Sequence, residues 1–204
     1  MKKLLTLLIS LFLLISCCAF AQAQENRTLI VYFAVADNSE VDVASSASVV
    51  EYDGAAMGKI SALAKMIADK TDADVISLDV DSVYPQDIMA VLDYAQDEQD
   101  RDHRPVILNP IENFEQYDTV FVGYPLWWYD LPMVTYSLFD DYDFSGKTII
   151  PFCTHNGSRF SGTIGTIEDL EPDAIVIREG FTVSEWDILE AADDVNAWLE
   201  GLGW

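Results

Sequence analysis

The sequence is constrained most by five short apolar runs that alternate with segments of helical periodicity. The runs are rich in β-branched and aromatic residues, which favour strands. They cover residues 28–33, 73–78, 119–124, 148–152 and 174–177. A strand that is apolar at successive positions has both faces buried, as in a parallel sheet with helices on each side. The alternation therefore predicts an α/β fold.

A helical pattern follows each of these runs. Apolar residues recur at helical spacing within residues 59–70, 86–102, 132–140, 161–170 and 187–199. Right-handed helical crossovers between parallel strands give a three-layer, doubly wound sheet of five strands. Such sheets bind ligands beyond the carboxyl ends of their strands, where the direction of winding reverses. The informative loops are thus residues 34–58, 125–131 and 153–162.

The N-terminus has the pattern of a secretory signal peptide. Lys2 and Lys3 precede an apolar stretch over residues 4–15, and residues 21–23 offer a cleavage site between small residues. We therefore expect a signal peptide over residues 1–23.

Cys17 opens a second route of export. Residues 14–17 resemble a bacterial lipobox, in which Cys17 becomes the lipidated first residue. Soluble export and lipid anchoring both remain open. In either case we expect residues 24–204 to form one domain in the periplasm or at the envelope, with a lipid anchor as the only membrane contact.

The chain is strongly acidic, with 35 Asp and Glu against 11 Lys and Arg and a net charge of −24 at pH 7. Such a surface repels nucleic acids and anionic lipids and favours basic partners. An anionic ligand would need a local cation. Lys59 is the only cation at the junction of the first loop and the following helix.

Cys153 is the only cysteine beyond the predicted signal peptide, so no internal disulfide is expected. His155 lies two residues further on, which raises the hypothesis of a Cys–His nucleophile. A buried thiol at the end of a strand is the other interpretation. No third group that would orient the histidine is visible in the sequence.

The loop after the third run carries two adjacent tryptophans, Trp127 and Trp128, between Pro125 and Pro132. Neighbouring side chains in a loop seldom both point inward, so at least one indole should be partly exposed. An exposed indole offers a flat apolar face to a planar aromatic ligand. Alternatively, one indole covers the helix below and the other makes a subunit contact.

The other two loops are rich in small and polar residues. In residues 153–162, Gly157 lets backbone N–H groups approach a polar ring edge, although a simple turn has the same composition. The first loop leads into a helix that begins near Gly58, and a helix N-terminus favours a phosphate. A serine-rich surface loop is the alternative there. The polar residues of the first loop that could assist a phosphate are Asn38, Ser39, Ser45, Ser46 and Ser48.

At these three loops the chain resembles the flavodoxin-like family, in particular a bacterial branch with a long first loop. The resemblance runs from about residue 28 to the last helix. The segments that carry it are Tyr32-Phe33, Tyr84-Pro85, Arg104-Pro105, Tyr117-Asp118, Gly123-Tyr124-Pro125-Leu126-Trp127-Trp128, Leu131-Pro132-Met133, residues 142–152 and Thr154-His155.

The resemblance implies five parallel strands in the order 2-1-3-4-5. It also implies FMN, with its phosphate in the first loop and its isoalloxazine ring between the second and third loops. The cofactor-binding residues that it implies are Ala34, Asn38, Gly58, Lys59, Ile60, Pro125, Leu126, Trp127, Trp128, Tyr129, Thr154, His155, Asn156, Gly157 and Ser158.

Several positions depart from the family pattern. Ala34 stands where the family usually has serine, and Ile60 stands where the usual Gly-Asn-Thr has threonine, so two hydroxyls that would bind phosphate are absent. Tyr129 replaces a glycine, and a tyrosine should resist a positive φ. Asn156 and Arg159 replace two glycines of the third loop.

Two hypotheses of function follow. The first is an exported FMN-binding protein that acts as an electron carrier or a flavin-dependent reductase. The second is a flavodoxin fold that has lost its flavin and serves as a binding module in the envelope. Neither requires a metal, and the sequence does not name the redox partner.

Overall fold

The computed structural model describes residues 27–38, 49–85 and 87–204. The predicted signal peptide, with Cys17, and the serines at positions 39, 45, 46 and 48 lie outside these ranges. The described strands are β1 (Arg27–Tyr32), β2 (Val49–Tyr52), β3 (Ala55–Gly58), β4 (Asp74–Ser77), β5 (Tyr117–Pro125), β6 (Thr148–His155), β7 (Ile175–Val176) and β8 (Phe181–Ser184). The described helices are α1 (Val35–Asn38), α2 (Lys59–Thr71), α3 (Ile88–Asp100), α4 (Met133–Asp141), α5 (Thr163–Leu170) and α6 (Ala192–Leu202).

A central parallel sheet organises these elements. Five strands run in the order β4-β1-β5-β6-β7, and β8 also pairs with β6. Counted along the chain, this is the predicted order 2-1-3-4-5, with the fifth position divided between β7 and β8. The predicted doubly wound α/β fold is confirmed.

Alternate residues of β1 enter two hydrophobic cores, one on each face of the sheet. Leu29 and Val31 belong to the core that α3, α4 and α5 cover, whereas Ile30 belongs to the core that α2 and α6 cover. All three side chains are fully buried. The apolar run in the sequence is continuous because both faces of the strand are covered.

The first loop contains a hairpin that the sequence analysis did not predict. β2 and β3 pair in antiparallel fashion, and the two residues between them, Asp53 and Gly54, have φ angles of 54° and 76°. A two-residue turn with both φ angles positive is type I′, for which Asp-Gly is favoured. The hairpin ends at Gly58 and α2 begins at Lys59, so this helix starts where it was expected.

The last strand is predicted as a single run over residues 174–177, but the structure divides it. β7 covers two residues, and β8 then pairs with the carboxyl half of β6, with His155 opposite Ser184. Gly180 permits this close return, because a Cβ atom there would lie 2.3 Å from the carbonyl oxygen of Pro151. β8 therefore brings the residues after Ser184 to the carboxyl edge of the sheet.

The last predicted helix is also divided. A 3-10 turn occupies Ile188–Glu190, and α6 follows it and runs to Leu202. Within the ranges that the structure describes, no helix is long and apolar enough to cross a membrane.

Glu171 follows α5 in an acidic neighbourhood. Burial, together with Asp143 and Asp140, raises the pKa of its carboxyl from an ordinary 4.5 to about 7. The folded state therefore keeps a proton that the unfolded chain releases. The stability that this group contributes is present below pH 4.5 and is lost as the pH rises through 7.

In the unchanged protein, loss of this contribution lowers the free energy of unfolding between about pH 5 and about pH 8. We predict a smaller decrease over the same pH range for Glu171→Gln. Denaturant unfolding at a series of pH values measures this difference. Glu179→Gln, which removes an exposed carboxyl between β7 and β8, controls for the change in net charge. Parallel pH profiles for Glu171→Gln and the unchanged protein would contradict the assignment.

Candidate functional site

The carboxyl edge of the sheet carries a cleft of about 240 Å³. It lies over β1, β5 and β6, where the direction of winding reverses, which is the position expected for a ligand in this architecture. The lining residues are Ala34, Val35, Lys59, Ile60, Ile88, Leu92, Pro125, Leu126, Trp127, Thr154, His155, Asn156, Glu185 and Trp186.

All three predicted loops contribute to this lining. The predicted site residues that do not line the cleft are Asn38, Gly58, Trp128, Tyr129, Gly157 and Ser158. The sequence analysis missed the contributions of α3, through Ile88 and Leu92, and of the segment after β8, through Glu185 and Trp186.

Trp127 forms part of the cleft wall and is also part of the core, since it is only 7% exposed. Its ring stands edge-on to Phe33 with 5.7 Å between the ring centroids, and the ring of Tyr84 lies at the same distance. The backbone N–H of Leu126 donates to the carbonyl oxygen of Thr154 at 2.8 Å. This side of the cleft is therefore fixed by packing and by backbone pairing.

Trp128 is the exposed tryptophan that the sequence predicts, but it lies outside the cleft lining. Trp127 and Asp130 exchange two backbone hydrogen bonds of 2.9 and 3.2 Å across Trp128 and Tyr129. The φ angles of these two residues are 49° and 67°, so they form a second type I′ turn. The indole N–H of Trp128 donates to the carbonyl oxygen of Leu92 at 2.9 Å.

Tyr129 therefore adopts the positive φ that a tyrosine was expected to resist. The two hydrogen bonds that close the turn hold Tyr129 in the left-handed region, although this conformation costs about 1–2 kcal/mol for a residue with a Cβ atom. The side chain itself is 68% exposed and adds little packing to offset this strain.

The end of β6 supplies the polar side of the cleft through Thr154, His155 and Asn156. His155 accepts a hydrogen bond at Nδ1 from the backbone N–H of Gly157, at 2.9 Å. Burial and the nearby Arg159 lower the pKa of His155, against the opposing effect of Asp187. The neutral imidazole then carries its proton on Nε2.

The end of the cleft beside the first loop is formed by Ala34, Lys59 and Ile60. Gly58 precedes α2 without a side-chain cap and packs closely, since a Cβ atom there would lie 3.0 Å from that of Ala34. Neither Ala34 nor Ile60 has a hydroxyl group. The groups at these positions that could bind an anion are the N-terminus of α2 and the ammonium group of Lys59.

Asn38 has a structural role in place of the expected contact with a ligand. Its amide nitrogen donates to the carbonyl oxygens of Ala34 and Leu78, both at 2.9 Å, and its amide oxygen accepts from the N–H of Val80 at 3.0 Å. The side chain thus ties the turn after β1 to the chain beyond β4.

Asp37 lies beside the first turn of α2. Its carboxylate accepts from the hydroxyl of Ser61 at 3.1 and 3.2 Å and from that of Ser77 at 2.6 Å. Burial and the charge of Asp37 raise the pKa of the neighbouring Tyr32. A carboxylate therefore already stands near this helix N-terminus.

The Cys153 thiol is fully buried, and burial raises its pKa. It donates to the carbonyl oxygen of Arg159 at 3.7 Å. Because the thiolate is the reactive form of cysteine, this environment opposes a nucleophilic role. The interpretation of a buried thiol at a strand end fits the structure.

A family model described as Flavodoxin matches residues 47–202. Among solved structures, a protein of Bacteroides uniformis that is provisionally described as a flavoprotein superimposes with a TM-score of 0.65 at 21% identity, over 86% of this chain and 98% of its own. A similar protein of Bacteroides eggerthii has a TM-score of 0.64 at 20% identity, over 87% and 98% of the two chains.

A third structure is that of a flavoprotein from Lactobacillus acidophilus in complex with FMN. It has a TM-score of 0.57 at 18% identity, over 84% of this chain and 99% of its own. At these identities the likenesses show the fold. No curated protein matches the sequence.

The strain at Tyr129 is open to a direct test. We predict that Tyr129→Gly is more stable than Tyr129→Ala by about 1 kcal/mol, because relief of the left-handed strain exceeds the roughly 0.4–1 kcal/mol that glycine loses through the unfolded state. Both variants remove the same exposed ring, so alanine controls for its loss. Denaturant unfolding measures the difference, and an alanine variant as stable as the glycine variant would refute the strain.

Proposed function

Since the chain belongs to the flavodoxin family, we propose that the cleft binds FMN and that the protein is an exported electron carrier or flavin-dependent reductase. The observation that carries this proposal is the convergence of the three predicted loops on one cleft at the carboxyl edge of the sheet. The FMN complex of the Lactobacillus acidophilus protein, which shares the fold, supports it. Family membership also favours this function over that of a fold without flavin.

The cleft suits an isoalloxazine ring. Ile88, Leu126 and Trp127 provide apolar surface, and Thr154 and Asn156 provide hydrogen-bonding groups. Sites for flat heterocycles combine such walls with a few polar groups that fix orientation. When bound, FMN supplies the electron chemistry, and these residues bind the ring, orient it and exclude water.

The first-loop end of the cleft would receive the phosphate, with fewer ligands than the family pattern provides. The free N–H groups of α2 favour an anion there, and Lys59 provides a positive charge. The hydroxyls that are absent at Ala34 and Ile60 would each have contributed about 1.5–3 kcal/mol to a charged ligand. Binding of the ring therefore has to supply a larger share of the affinity.

The surface charge favours a basic redox partner. The net charge of −24 would steer a positively charged protein towards this one and would make their association sensitive to ionic strength. Export through the predicted signal peptide would place this exchange in the periplasm or at the envelope.

We predict that Asn156→Trp weakens FMN binding by at least about tenfold, because an indole at this position fills part of the cleft. Asn156 is exposed, so the substitution should leave the core intact. Trp127→Ala would be a poorer test, since it would also open a core cavity. Titration with FMN, followed by flavin fluorescence and by the visible absorption spectrum, measures the affinity.

The matched control is Ala197→Trp, which places the same indole at an exposed position of α6, outside the cleft. It should bind FMN as the unchanged protein does. If the unchanged protein is colourless and does not bind FMN at saturating concentrations, the proposed function is wrong.

A further inference from the structure

Lys59 and Glu185 meet at the end of the cleft that would hold the phosphate under the proposed function, on which this inference rests. Their Nζ and Oε2 atoms are 3.8 Å apart, and their side chains are only 10% and 18% exposed. Both residues line the cleft. The cation that the sequence offers to an anionic ligand is thus already paired with a carboxylate of the same chain.

The segment after β8 holds Lys59 through two side chains. Besides the carboxylate of Glu185, the indole of Trp186 lies under the ammonium group, with Nζ 4.9 Å from the ring centroid. The N–H of Glu185 donates to the carbonyl oxygen of His155 at 2.8 Å, which continues the pairing of β8 with β6. The backbone that carries Glu185 is therefore fixed to the sheet.

Burial distinguishes this ion pair from one on the surface. Burial lowers the pKa of Lys59 and raises that of Glu185, and each charge opposes the shift of the other. A charge in such a place is stabilised chiefly by its partner and is weakly screened by salt. A phosphate that approached Lys59 would also approach Glu185.

Asp37 adds a second negative charge near the same helix N-terminus, through its hydrogen bond to Ser61 in the first turn of α2. Lys59, Glu185 and Asp37 thus bring one cation and two carboxylates to this end of the cleft. The net negative charge of these three groups disfavours binding of a dianionic phosphate, whereas it has little effect on binding of an uncharged ribityl chain.

We propose that Glu185 determines the specificity of the cleft: by neutralising Lys59 it removes most of the benefit of a ligand phosphate, so that FMN and riboflavin bind with similar affinity. The phosphorylated and unphosphorylated flavins share the ring that the cleft accommodates, and they differ only at the end where the Lys59–Glu185 pair lies.

The experiment is a set of dissociation constants for FMN and for riboflavin, measured by quenching of flavin fluorescence. In the unchanged protein the two constants should lie within about tenfold of each other. Glu185→Gln, which keeps the side-chain shape, should tighten FMN about tenfold and leave riboflavin within about twofold. The double variant Lys59→Met with Glu185→Gln should lose the gain in FMN affinity that Glu185→Gln alone produces, because no cation is then left for the phosphate.

Glu190→Gln is the matched control, because it removes an exposed carboxylate from the turn after Trp186, outside the cleft. It should leave the ratio of the two constants unchanged. Circular dichroism and thermal unfolding check that each variant folds.

Two results would overturn the inference while the proposed function stands. One is FMN binding more than about tenfold tighter than riboflavin in the unchanged protein. The other is a ratio that Glu185→Gln does not change. If no flavin binds to the unchanged protein or to any variant, the proposed function itself fails, and the inference with it.

Discussion

Backbone pairing continues past the ends of β5 and β8 on the two sides of β6, and the cleft depends on this continuation. On one side the N–H of Leu126 donates to Thr154, and on the other the N–H of Glu185 donates to His155, both at 2.8 Å. Two walls of the cleft are therefore in register with a single buried strand. Because a slip of one residue would turn every side chain to the opposite face, this pairing determines which groups face the ligand.

The two type I′ turns differ in how well their residues suit positive φ angles. Asp53 and Gly54, in the hairpin before α2, suit the positive φ angles that the turn requires. Trp128 and Tyr129 adopt the same conformation with two large aromatic side chains. Strained backbone tends to occur at functional sites, and here the strained turn follows Trp127 directly, where it fixes the loop that forms the cleft wall.

The sequence predicted those parts of the fold that local patterns determine. Continuous apolar runs predicted the central strands, since both faces of the sheet are covered, and α2 begins at Lys59 as expected. β8 was missed because Phe181–Ser184 is only half-buried and lacks a continuous apolar pattern. Its place in the sheet depends on a long-range pairing with β6. The contribution of Glu185 and Trp186 to the cleft therefore could not be predicted from the residues next to them in the sequence. The Asp53-Gly54 turn was a usable signal for the hairpin.

Charge pairing extends from the surface into the cleft. Exposed cations such as Arg27, Arg101 and Arg178 each meet a carboxylate, and exposed pairs of this kind contribute little to stability because water and salt screen them. The Lys59–Glu185 pair likewise joins a cation to a carboxylate. Water and salt screen it less, because neither side chain is more than 18% exposed. Loss of one partner would leave the other buried and unpaired, which is far more costly than loss of a surface pair.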